Sequence, residues 1–235
     1  MRDTTDGKTV GRFAECVRRS PVILTEGAVI ERLRRDADVP LDPFVLHAGF
    51  IYVDFLFAAT LPTAAEARGI ALAAADCQVL YVLSFVVRRD GTLLDGTPLD
   101  EAVAGIDASV GSPPLFYMVN CVHPSIFEGA MVSAISRSPR VAGRVIGLQA
   151  NTSSKSPEEL DGLTALDDEP PEALAESILR LHRLFGTKVL GGCCGTDHRH
   201  IEHIARRIGE EVSHRAGKPS GIRAQATSRR ASKGE

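Results

Sequence analysis

No uncharged apolar run in the 235 residues approaches the 18 or so that a membrane-spanning helix needs, so neither a transmembrane segment nor a membrane partner is expected. The opening Met1-Arg2-Asp3-Thr4-Thr5-Asp6 lacks the apolar core of a secretory signal. Cysteine is sparse, at five residues, two of them adjacent. Without a signal, this usage points to a reducing, cytoplasmic setting and to thiol or metal chemistry, not to a disulfide framework. A P-loop, a glycine-rich dinucleotide fingerprint and a Ser/His/Asp elbow are all missing, as are short internal repeats. Excess positive charge is missing too. The net charge is −3, and residues 215–235 alone carry +5, which leaves −8 on the first 214 residues. An acidic body of this kind excludes nucleic acid as the expected partner.

What is present is a globular composition, 44% hydrophobic and 24% charged. Short, nearly continuous β-branched runs occur at Val22–Leu24, Val53–Phe57, Val79–Val87, Leu115–Val119, Val145–Gln149 and Lys188–Leu190. Such runs suit strands buried on both faces of a parallel sheet. Helical patterns at Thr63–Ala75, Leu99–Ile106, Pro124–Ser136, Pro171–Phe185 and Asp197–Ile208 separate most of them, which predicts βαβ units. Pro124 and Pro171 fit first-turn positions, Thr196 or Asp197 can cap the last helix, and Gly186 fits a helix stop. The reading is an extension over residues 1–11, one α/β domain over 12–214, and a disordered basic tail over 215–235. Six strands are expected. A closed eight-stranded barrel usually takes about 250 residues, so eight full units do not fit.

The polar residues that carry chemistry follow the apolar runs: Glu26-Gly27, Asn120-Cys121-Val122-His123, Asn151-Thr152-Ser153 and Gly191-Gly192-Cys193-Cys194-Gly195-Thr196. In a parallel α/β barrel the C-terminal strand ends meet at one face, which would bring Cys121 to Cys193 and Cys194. Three thiolates hold Zn²⁺ and leave a fourth position open, as a catalytic site requires. Vicinal cysteines on a regular strand point to opposite faces, so both reach one ion only where the chain turns sharply, as the flanking glycines permit. A vicinal disulfide and a pair of buried core thiols also fit the spacing. Cys16 and Cys77 have no partner motif and read as structural or incidental. His123 reads as a local packing or hydrogen-bonding group that could stand in for a thiolate. His198, His200 and His203 read as a solvated helix face. Asp54 within an apolar run is unusual, and His47 has no assigned partner.

The Gly191–Thr196 motif, with Asn120-Cys121 upstream and Thr25-Glu26-Gly27 near the start, resembles the homocysteine S-methyltransferase family from about Phe13 to Ile208. The resemblance implies a TIM-barrel-type (βα)₈ family fold, here shortened to about six βα units. It implies Cys121, Cys193 and Cys194 as zinc ligands, Glu26 on homocysteine, and a substrate pocket that includes Gly27, Asn120, Asn151 and Gly192. It also implies homocysteine and a small sulfonium or ammonium methyl donor as partners, with methionine as product. Segments matching the family's second and third strands are missing, and Ala59 stands where the family has a glutamate. Two further readings follow from the gap. One is a non-catalytic zinc-binding remnant, the other a marginally folded product of an internal deletion. A homodimer covering the open sheet edges is a third expectation.

Overall fold

The computed structural model describes residues 15, 18–25, 55–155 and 169–216, with side chains through residue 211. Six strands form one parallel sheet: β1 (Ile23–Leu24), β2 (Leu56–Leu61), β3 (Tyr81–Phe85), β4 (Tyr117–Val122), β5 (Val145–Ala150) and β6 (Val189–Gly192). Among the described residues, five α-helices lie between and after them: α1 (Ala64–Asp76), α2 (Leu99–Ser109), α3 (Pro124–Arg137), α4 (Pro171–Phe185) and α5 (His198–Ala216). The strand order is β1-β6-β5-β4-β3-β2, and every pairing is parallel. This is the cyclic order of a βα barrel. Among the described residues, β1 and β2 are the free edges, with no pairing between them.

The helix boundaries follow their caps. The Thr63 hydroxyl accepts from the Glu66 N–H at 3.1 Å and starts α1. Pro124 and Pro171 occupy first-turn positions, and Gly186, at φ 69°, stops α4 in the left-handed region. In α4 the buried residues Leu174, Ala175, Ile178, Leu179 and Leu181 share one face at helical spacing. The last helix is longer than its apolar pattern suggested. It runs to Ala216, so Arg215 and Ala216, expected in the tail, are helical. Residues 1–11 and 217–235 lie outside the described residues, as do Cys16, His47 and Asp54.

The main core lies between the sheet and its helices. Tyr81, Leu83 and Phe85 of β3 and Tyr117 and Val119 of β4 face it, and the Phe85 and Tyr117 rings stack at 5.9 Å. The opposite sheet face carries a smaller cluster, Val82, Phe116, Met118 and Val189. Beside it is a cavity of about 290 Å³ that also touches Phe55, Phe57, Thr25 and Gln149. Leu24 on one edge strand and Leu56 and Phe57 on the other are exposed, at 37%, 43% and 37%. Near the start of the strands, Arg144 holds both Asp107 carboxylate oxygens at 2.8 and 2.9 Å and lies 5.1 Å from the Tyr117 ring centroid. The Tyr117 hydroxyl donates to the same carboxylate at 2.8 Å. This network fixes the end of the sheet away from the cysteines.

Candidate metal centre

Cys121 and Gly192 were expected just past their strands and instead lie within them. The correction has a cause in the backbone. Cys121 sits at φ 60°, and the β4–β5 register slips between Asn120 and Val122. The irregularity breaks the alternation that would face Asn120 and Val122 one way and Cys121 the other. A second left-handed residue, Thr60 at φ 61°, lies where the β2–β3 register slips. Asn120 ties the two together. Its buried amide oxygen accepts from the Thr60 N–H at 2.9 Å and the Ser84 hydroxyl at 2.7 Å. Its amide nitrogen donates to the Thr60 hydroxyl at 2.7 Å.

The vicinal pair follows β6. The Cys193 N–H donates to the Ala150 carbonyl at 2.7 Å, and the Thr196 N–H and hydroxyl close a turn onto the Cys193 carbonyl at 3.1 and 2.6 Å. Gly195, at φ 81°, completes the turn, and a Cβ there would lie 2.0 Å from the Thr152 hydroxyl. The close approach of β1 to β6 also needs glycine, because a Cβ on Gly191 would lie 1.8 Å from the Thr25 hydroxyl. That hydroxyl accepts from the Gln149 amide at 3.2 Å.

The outcome is convergence. The Cys121 sulfur is 3.3 Å from that of Cys193 and 3.5 Å from that of Cys194. All three sulfurs lie within 4.8 Å of one another, and this is the one such group of potential metal ligands among the described residues. Cys121 and Cys193 are partly buried and Cys194 is exposed. Hydrogen bonds from Cys121 and then Cys194 pull the Cys193 thiol far below the ordinary range. The Cys121 thiol is pushed up, first by its bonds to Cys193 and Cys194 and then by burial. The cluster therefore places three sulfurs in mutual contact, with Cys121 between Cys193 and Cys194, a ready source of soft ligands. Four-coordinate zinc, with Zn–S near 2.3 Å, sets sulfurs about 3.8 Å apart, so the two shorter separations fit the ion to within about 0.5 Å.

Of the histidines, His123 forms local hydrogen bonds as expected, and His200 departs from expectation. His123 caps α3, accepting from the Ser125 N–H at 3.1 Å, while its Nε2 pairs with the Glu169 carboxylate at 3.1 Å. His200, expected on a solvated face, is 3% exposed. Its Nδ1 accepts from the Asp197 N–H at 3.1 Å, and its Nε2 lies 3.4 Å from the Glu169 carbonyl. Both rings thus converge on Glu169. The apolar residues Ile201 and Ile204 share this stretch of α5 and could have flagged the buried face. His198 is exposed, and His203 pairs with Glu172 at 3.2 Å. Cys77 is the exposed C-cap of α1. Glu26 and Gly27 lie outside the described residues.

Parallel βα units carrying a three-thiol cluster near the C-terminal strand ends define a class, an α/β protein with a site suited to a soft metal ion. Residues 9–208 match the family model described as Homocysteine S-methyltransferase. The chain belongs to the homocysteine S-methyltransferase family, and its domain is of the methyltransferase kind. No curated protein matches it. Among the described residues, no helix is long and apolar enough to cross a membrane.

Proposed function

We propose that this chain is a zinc-dependent methyltransferase that moves a methyl group from a sulfonium or ammonium donor to homocysteine, giving methionine. The observation that carries the reading is the convergence of Cys121, Cys193 and Cys194 from two separate strands in a member of this family. These three residues supply the ligands. Zinc, when bound, lowers the pKa of a coordinated thiol and so makes a nucleophile available at neutral pH. The homocysteine sulfur forms a bond to the methyl carbon as that carbon's bond to the positive sulfur or nitrogen breaks. The bonding pair leaves with the neutral sulfide or amine, and the thiol proton passes to solvent. Alignment of thiolate, methyl and leaving group dominates such a displacement, so the chain's task is positioning.

Glu26 binds homocysteine, the backbone around Gly27 and Gly192 shapes the pocket, and Asn120 and Asn151 complete the substrate-binding set. The tight fit at Gly192, where a Cβ would meet the Thr196 hydroxyl at 2.2 Å, supports a shaping role. The apolar side chains on both sheet edges support a homodimer that covers them. The free thiols suit a reducing compartment such as the cytoplasm. The β1 and β2 edges, unpaired among the described residues, favour a second reading, a zinc-binding remnant without activity. Both readings require about one zinc per chain in reduced protein, lost in Cys193→Ser. Homocysteine-dependent methionine from S-methylmethionine, S-adenosylmethionine or betaine distinguishes the enzyme from the remnant. Zinc retained after replacement of all three cysteines would overturn both.

A further inference from the structure

Cys121 stands on β4, while Cys193 and Cys194 stand on the turn after β6, so β5 lies between the two halves of the cluster. The end of β5 is bonded to both halves. The Asn151 N–H donates to the carbonyl of Val122, the residue after Cys121, at 2.9 Å. The Asn151 side-chain oxygen accepts from the Cys194 N–H at 3.1 Å. Next along the chain, the Thr152 N–H donates to the Cys194 carbonyl at 3.2 Å, and the Thr152 hydroxyl fills the space a side chain on Gly195 would need. Asn151 and Thr152 are each 3% exposed.

We propose that Asn151 is a positioning residue that fixes the Cys194 thiol relative to Cys121. The claim rests on the zinc reading for its effect on metal, and on geometry alone for its effect on the loop. One residue spans the gap, with its backbone on the Cys121 side and its side chain on the Cys194 side. Its oxygen is engaged by the Cys194 N–H, so turning that oxygen to a substrate would strip a part-buried amide of its acceptor. The turn's own hydrogen bonds fall on Cys193 and Thr196, whereas both the N–H and the carbonyl of Cys194 are held from the end of β5, by Asn151 and Thr152. Residues that orient ligands from behind in this way typically change metal affinity about 10–100-fold when lost.

The test compares native protein, Asn151→Ala, Asn151→Asp and the control Tyr117→Phe, which removes a hydrogen bond at the far end of β4. Amide exchange at Cys194 is read by NMR on metal-free, reduced protein. Affinity is read by Co²⁺ titration, following the thiolate charge-transfer absorption, and by zinc competition with a chelator. The expected result for Asn151→Ala is Cys194 exchange faster by about tenfold or more and metal affinity lower by about 10–100-fold. Asn151→Asp, which keeps the acceptor, retains the amide protection and an affinity closer to native. Tyr117→Phe changes neither readout.

Unchanged Cys194 exchange in Asn151→Ala overturns the proposal. So does unchanged metal affinity with only a raised KM for homocysteine, which would make Asn151 a direct substrate contact. An equal loss of affinity in Tyr117→Phe also overturns it, because the effect would then be general destabilisation. If native protein takes up no Co²⁺ or Zn²⁺, the zinc reading falls, and the exchange measurement alone decides whether Asn151 holds the Cys194 loop.

Discussion

Replacing Asn120 by alanine removes the junction between two irregular strands. Three hydrogen bonds go with the amide, those from the Thr60 N–H, from the Ser84 hydroxyl and to the Thr60 hydroxyl. Ser84 is fully buried, so its orphaned hydroxyl costs about 1–3 kcal/mol. The Thr60 groups are only part-buried and water can replace Asn120 there, which limits their share to about 0.5–1 kcal/mol. The expected loss is therefore about 1.5–4 kcal/mol. For a folded body of this size that corresponds to a fall in Tm of about 5–15 °C.

Thr60 sharpens the test. Its left-handed backbone costs a non-glycine residue about 1–2 kcal/mol. Thr60→Gly in the native background trades that relief against a lost hydroxyl bond and is near neutral. In the Asn120→Ala background the hydroxyl bond is already gone, so Thr60→Gly restores about 1 kcal/mol. Urea and thermal unfolding in reductant, over the four proteins of this cycle, measure both values. A loss below about 1 kcal/mol in Asn120→Ala, or no recovery with glycine, would refute the view that Asn120 holds the two bulges.

Two further outcomes are expected. The Asp197 carboxyl is held below the usual aspartate range, chiefly by its hydrogen bond with Arg199 and against some desolvation, with help from His200. A depressed folded pKa gives stability that is complete above the unfolded value near 3.9 and is lost as pH falls below it. Asp197→Asn should therefore flatten the acid limb of a stability–pH curve below about pH 4 and leave its alkaline limb unchanged. The exposed Arg199 partner keeps the effect within about 1 kcal/mol. The Thr187 hydroxyl is buried with no hydrogen-bond partner among the described residues, so Thr187→Val, of equal shape, should raise stability by about 1 kcal/mol in the same unfolding assay. A loss instead would mean that the hydroxyl has a bound water.

The sequence by itself determined the α/β class and the position of most elements, for local reasons. Apolar runs of strand length alternate with capped, 3.6-period segments, and Pro171 and Gly186 mark the ends of α4 by their own backbone chemistry. The cysteine motif was legible too, since its glycines are close neighbours in sequence and a tight turn is a local property. What a linear pattern does not carry is contact between distant segments. The bulge at Cys121, the burial of His200 against Glu169 and the tie from Asn151 to Cys194 each depend on residues 31–60 positions away or on a register slip between strands. Alternation along β4 would put Cys121 on the face opposite Asn120. The register slip against β5 and the left-handed backbone at Cys121 accompany the approach of that thiol to within 3.5 Å of the pair after β6.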